Sequence, residues 1–170
     1  MSNKPILYVA RDAAGFMEMS VLRLVVVGLP ISNPDAPVLA NHWRIHAVIK
    51  DGSIVIDMAP GGDGVTGLLQ LNYRPYDVSN QAVCSAVLQL QVNCTVNALV
   101  GCLLEGKLDR YVFTSNGDGC RNWIRVAIDW LERQGLISAG SLRGIDAIIS
   151  FLYLSNTERV PSVPGVGTFY

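Results

Sequence analysis

Four side chains in this sequence have the chemistry to share one reaction: Cys120, His42, His46 and Asp57. Cys120 stands in "FTSNGDGCRNWIRVAIDW", residues 113–130, where a glycine-bearing turn gives way to apolar residues at helical spacing. A helix N-terminus presents unpaired N–H groups and about half a positive charge, which favours a thiolate over a thiol. Arg121 adds a cation beside it. Gly117 and Gly119 would let the backbone approach a bound carbonyl closely, with first-turn N–H groups as an oxyanion site and Trp123 nearby to line it. The missing part is a base, and the chain has two histidines, both in "HWRIHAVI". Cysteine, histidine and an orienting polar group together make the arrangement used for thiol acyl transfer. The plain alternative is a packing cysteine, solvated histidines, and an Asp57 that only closes its hairpin or pairs with Arg44.

The element that must position the histidines is a hairpin. "HWRIHAVI" and "SIVIDM" flank "KDGS", and Asp-Gly is a strong type I′ turn signal. With Asp51 and Gly52 as the turn, Lys50 faces Ser53. One face then carries Trp43, Ile45, Ala47 and Ile49 with Ile54, Ile56 and Met58, a core face. The other carries His42, Arg44 and His46, with Asp57 directly across from His46. A one-residue slip would undo this grouping. Arg44, His46, Gly119, Arg121 and Trp123 are the candidate substrate contacts.

Elsewhere, Ile6–Ala10 and Val21–Leu29 read as buried strands, the second stopping at Pro30, followed by a loop in "PISNPDAP". "APGGDGVTG" is a loop without the Gly-Lys-Ser/Thr ending of a phosphate-binding loop. "LLQLNYR" and "AVCSAVLQLQV" alternate like further strands, and "RYVFTS" is a short one. Thr95 caps a helix through "VNALVGCLLEG" that Gly106 closes. The helix after Cys120 places Trp123, Ile124, Ala127, Ile128 and Leu131 on one stripe. A further helix, about Ser141 to Leu154, is apolar on most sides and expected to pack deeply. Residues 1–158 form one domain, and 159–170 a Pro/Gly-rich tail that is either docked over a groove or disordered.

Composition narrows the function classes. At 170 residues the chain buries roughly 70% of its unfolded surface as a single core. Half of the residues are hydrophobic and 16% charged, with a mean hydropathy of +0.32, so apolar surface remains for an apolar small molecule or a second copy in a homodimer. Thirteen basic against fourteen acidic side chains, with no basic run, argue against nucleic acid. No apolar stretch reaches a membrane span, since Arg23 interrupts "VLRLVVVGLP", and no signal peptide is visible, so the chain reads as cytoplasmic. Cys84, Cys94, Cys102 and Cys120 lack C-x-x-C spacing, so free thiols are expected, with no metal and no cofactor.

"HWRIHAVIKDGSIVIDMAPGG" resembles the histidine-bearing hairpin of the lecithin–retinol acyltransferase family, and "FTSNGDGCRNW" resembles the turn and helix start that carry that family's cysteine. The two stretches cover under a quarter of the chain, in the family's order. The resemblance implies an α+β fold, an antiparallel sheet packed against a few helices, in the permuted NlpC-type papain-like order with the histidine strand before the cysteine helix. It also implies His42 as base, Asp57 in the place of the third, orienting residue, and Cys120 as nucleophile. The hairpin register instead sets Asp57 beside His46, roughly 13 Å from His42 along the strand. Without a bulge both histidines cannot serve Cys120, and His46 stays as the alternative base. The family has Asn-Cys-Glu-His-Phe where this chain has Gly119 to Trp123, and usually histidine where it has Asp57, which points away from a phospholipid substrate. The chain also resembles an uncharacterised, mainly fungal family sharing Asp-Met-x-Pro-Gly, Tyr-x-Val-Ser and Gly-Cys-Arg-x-Trp.

The leading expectation is a small cysteine enzyme acting on an ester, thioester or amide of an apolar small molecule, by acyl transfer or hydrolysis. The alternatives are a non-covalent isomerase or cyclase of natural-product biosynthesis using the same cleft, and a non-catalytic binding or dimerising module.

Overall fold

The computed structural model describes residues 4–32, 34–35 and 39–170. Alternating apolar stretches form a six-stranded sheet from β1 (Leu7–Val9), β2 (Arg23–Ile31), β3 (Asn41–Ile49), β4 (Gly52–Pro60), β5 (Gly67–Arg74) and β6 (Cys84–Leu88). Their spatial order is β1-β5-β4-β3-β2-β6, antiparallel except for the parallel β1–β5 pair at one edge. The protein is therefore α+β, with an antiparallel-dominated sheet and four helices among the described residues.

Helices cover one sheet face. Leu24, Val26, Trp43, Ile45, Ala47, Ile54, Ile56, Met58, Leu69 and Leu71 are all buried there. Against them pack α2 (Val96–Glu105), capped by Thr95 Oγ1 accepting from Ala98 N at 3.2 Å and closed at Gly106, and α3 (Cys120–Arg133). All five residues of the expected α3 stripe are buried, each large one stabilising by roughly 1.5–3 kcal/mol. On the opposite face Val25, Val27 and Val48 are covered by Leu29, Val78 and Ala82.

Two expectations are corrected, and a third lies partly outside the described residues. β2 does not stop at Pro30 but reaches Ile31, because its pairing with β3 shifts register between Gly28 and Ile31 and the missing proline N–H falls in that irregularity. The loop expected over 30–37 includes residues 33, 36 and 37, which lie outside the described residues. The helix expected to Leu154 ends earlier: α4 spans Ser141–Ile149, buries Ile145 and Ile149, and gives way to β8 (Phe151–Tyr153), which pairs with β9 (Arg159–Pro161). The aromatic run Phe151-Leu152-Tyr153 gains more from strand pairing than from another helical turn.

The C-terminal residues are built into the fold. Besides β9, the tail forms β10 (Thr168–Phe169), which pairs with β7 (Tyr111–Val112) just ahead of the Cys120 turn.

Candidate functional site

The β3–β4 register decides which histidine meets Asp57. Ile49 pairs with Gly52 and Ile45 with Ile56, so the turn is Lys50-Asp51, one residue earlier than expected, and every pairing partner shifts by two residues. Only Asp51 in that two-residue loop has a positive φ, 66°, whereas a type I′ turn needs two. Gly52 instead begins β4 at φ 156°, where a Cβ would collide with the Arg74 carbonyl. Neighbouring β5 therefore pulls the glycine into the sheet. A shift of two keeps every side chain on its face, because strand side chains alternate with period two. The grouping of His42, Arg44, His46 and Asp57 survives, but Asp57 no longer stands across from His46, which pairs with Val55. Continued by one step, the register sets Arg44 opposite Asp57, with His42 on the diagonal.

The side chains confirm that geometry. His42 Nε2 lies 2.7 Å from Asp57 Oδ1, and Arg44 Nε lies 2.8 Å from Asp57 Oδ2, an ion pair whose angle falls short of a hydrogen bond. The Asp57 side chain is 8% exposed, with both of its oxygens engaged. Cys120 lies close enough to His42 to help raise the pKa of the ring. Cys120 Sγ donates to the Asn41 carbonyl at 3.4 Å, so the first turn of α3 sits against the first residues of β3.

The electrostatics separate the two histidines. Burial would lower the His42 pKa, but hydrogen bonds and charge from Asp57 and Cys120 outweigh it and raise the ring from 6.5 to about 9. Burial lowers His46 to about 4, with Arg44 and Arg74 adding to the effect against the Asp77 backbone carbonyl and the Asp57 charge, which favour the cation. His46 is 2% exposed and contacts the Ser53 hydroxyl through Nδ1 at 3.0 Å. At neutral pH His42 is a cation beside the Asp57 carboxylate, and His46 is a neutral interior group.

The turn before Cys120 is held from several directions. Asp118 Oδ1 accepts from Gly119 N at 2.7 Å, while its Oδ2 accepts from Gly165 N of the tail at 3.0 Å. Gly119 caps α3 at φ 146°, and a Cβ there would meet the Tyr111 hydroxyl at 2.8 Å. That buried hydroxyl donates to the Gly119 carbonyl at 2.8 Å and accepts from Gly167 N at 3.1 Å. The first hydrogen bond of α3 runs from Trp123 N to Gly119 O, so the N–H groups of Cys120, Arg121 and Asn122 precede it.

Two expected site residues serve the interior instead. Arg121 is 2% exposed, and its guanidinium donates to the carbonyls of Ile149, Phe151 and Ser162 and to the Ser162 hydroxyl. It ties α3 to α4, β8 and the tail rather than offering a cation to substrate. Trp123 is 1% exposed and bonds the Leu108 carbonyl at 2.7 Å as a core residue. The reading of the sequence missed Asn41, whose side chain bonds Leu29 O and both backbone groups of Tyr153, and also missed Tyr111 and Asp118. Their roles depend on segments far away in sequence, and no local pattern marks them.

Among the described residues no three His, Cys, Asp or Glu side chains are grouped to hold a metal ion, and no helix is long and apolar enough to cross a membrane. The fold and site define an α+β domain with a Cys–His–Asp constellation. The chain belongs to the family described as Domain of unknown function (DUF7770), whose model matches residues 24–170 and so includes Asp57 and Cys120. No curated protein and no solved structure matches it.

Proposed function

We propose that the protein is a small cysteine enzyme that cleaves or transfers the acyl group of an ester, thioester or amide, built on a permuted papain-like arrangement in which the histidine strand precedes the cysteine helix. The observation that carries this reading is the grouping of Cys120, His42 and Asp57, with His42 Nε2 2.7 Å from the carboxylate and Cys120 near enough to the ring to help raise its pKa. With the proton shared by Cys120 and His42 on the ring, Cys120 Sγ attacks the carbonyl carbon, forming the C–S bond while the carbonyl π pair moves to oxygen. First-turn N–H groups of α3 hold that oxyanion. The intermediate collapses as the bond to the leaving oxygen, sulfur or nitrogen breaks, and His42 gives that atom its proton. Water or an acceptor then attacks the acyl carbon, surrendering its proton to His42, and the C–S bond breaks with its pair returning to sulfur, which restores the starting state. Asp57 keeps the imidazole in the orientation both steps use.

The test is turnover of a panel of small thioesters and esters by the wild-type and Cys120→Ser proteins, with intact-mass detection of an acyl adduct. The expected result is an adduct at Cys120 and loss of turnover on substitution with the fold retained. A Cys120→Ser protein that keeps most of its activity would sink the proposal.

A further inference from the structure

We infer that the sheet face beside His42 carries a subsite for an anionic group, a carboxylate or a phosphate, formed by Arg44, Gln70 and Tyr8. Its link to catalysis rests on the cysteine-enzyme reading above; the binding itself does not. Asp57 pairs with Gln70, and Gln70 pairs with Tyr8, while Arg44 meets Asp57 across β3 and β4. Directly opposed residues share a face, so Arg44, Asp57, Gln70 and Tyr8 form one cross-strand row. With neighbouring strands about 4.8 Å apart, the row runs roughly 14 Å from Arg44 to Tyr8.

The hydrogen-bonding capacity left in this row is mostly donors. Both oxygens of Asp57 are engaged by His42 and Arg44. Arg44 faces the carboxylate with Nε at 2.8 Å and is 31% exposed; neither Nη has a hydrogen-bond partner among the described residues. The Gln70 amide and the hydroxyl of Tyr8, a residue 52% exposed, have no such partner either. An end-on pair of guanidinium N–H groups beside an amide and a phenol matches the lone pairs of a carboxylate or phosphate. In the resting enzyme two cations, His42 and Arg44, face the single Asp57 carboxylate. One step along the same face, Ala59 pairs with Leu68, both partly exposed, which suits an alkyl stretch between the reacting carbonyl and the anion. The implied substrate class is an amphiphilic acid whose acyl carbonyl reaches Cys120.

Two measurements test this. In the first, hexyl phosphate, hexanoate and hexanol are each titrated into the Cys120→Ser protein while the Gln70 side-chain amide and Arg44 Nε–H resonances are followed. Saturable shifts are expected with one or both anions and not with hexanol, weakened roughly tenfold by Gln70→Ala and lost in Arg44→Gln. Equal response to hexanol, or anion binding untouched by both substitutions, overturns the subsite. In the second, wild-type Cys120 is alkylated with matched chloroacetamides ending in carboxylate or carboxamide on tethers of increasing length. A rate ratio favouring carboxylate at an intermediate length, and falling in Gln70→Ala, assigns the subsite to the reaction; a ratio near one at every length overturns that assignment. If the neutral reagents alkylate Cys120 no faster than a free thiol, the cysteine-enzyme reading fails while the binding result stands.

Discussion

Asp57→Asn separates the site's electrostatics from its shape. The carboxylate lies 2.7 Å from His42 and supplies it with both a hydrogen bond and a charge. Burial opposes protonation of the ring, yet it titrates at about 9 instead of 6.5. At about 1.36 kcal/mol per tenfold change, the net preference for imidazolium is roughly 3 kcal/mol. The pKa is raised by folding, so this stabilisation is fully present below about pH 6.5 and fades as pH rises through 9. With an amide in place of the carboxylate, burial remains and only Cys120 still favours the cation, so the midpoint should fall by more than about one pKa unit. Imidazole NMR reads this cleanly: the chain has two histidines, and His46 titrates at about 4, so the two transitions do not overlap. Cys120→Ser should lower the His42 midpoint by less, since Asp57 is the stronger of the two partners. A wild-type His42 that titrates near 6.5, or an unchanged midpoint in Asp57→Asn, would refute the reasoning.

The remaining predictions use the same geometry. His42→Asn should slow thioester turnover by about 10²- to 10⁴-fold, the worth of general acid–base help, whereas His46→Asn should leave kcat within a few-fold; the reverse pattern would restore His46 as the base. Because His46 is held neutral at about 4 and His42 charged up to about 9, urea denaturation across pH should show greatest stability near 6.5, with the acid-side loss removed by His46→Asn. Gly119→Ala places a methyl group against the Tyr111 hydroxyl at a φ of 146° and should destabilise by roughly 1–3 kcal/mol, with slower Cys120 alkylation even at full folding. Arg121→Met strands the carbonyls of Ile149, Phe151 and Ser162 and should cost roughly 2 kcal/mol or more in the same urea assay. A loss below half a kcal/mol would mean that those carbonyls find other partners.

Much of the site was legible in the sequence because strand and helix periods are local properties. Period two put His42, Arg44 and Asp57 on the face opposite Trp43 and Ile45, and the structure keeps every one of those residues there. The apolar stripe from Trp123 to Leu131 and the glycine before Cys120 marked a helix start that coincides with α3. The pairing offset was not legible. Asp-Gly locally favours a turn at 51–52, but the Arg74 carbonyl of β5 leaves room for only a glycine at position 52 and draws it into β4. That displacement of two residues moves Asp57 from His46 to His42, a choice no feature of the hairpin alone determines. The fate of Arg121 and Trp123 was equally hidden: both follow the cysteine, but the carbonyls they satisfy belong to Leu108, Ile149, Phe151 and Ser162. Side-chain face follows from backbone geometry one residue at a time and can be read locally. Which partner a polar group finds depends on long-range packing, and only the tertiary structure brought Cys120 to the start of β3.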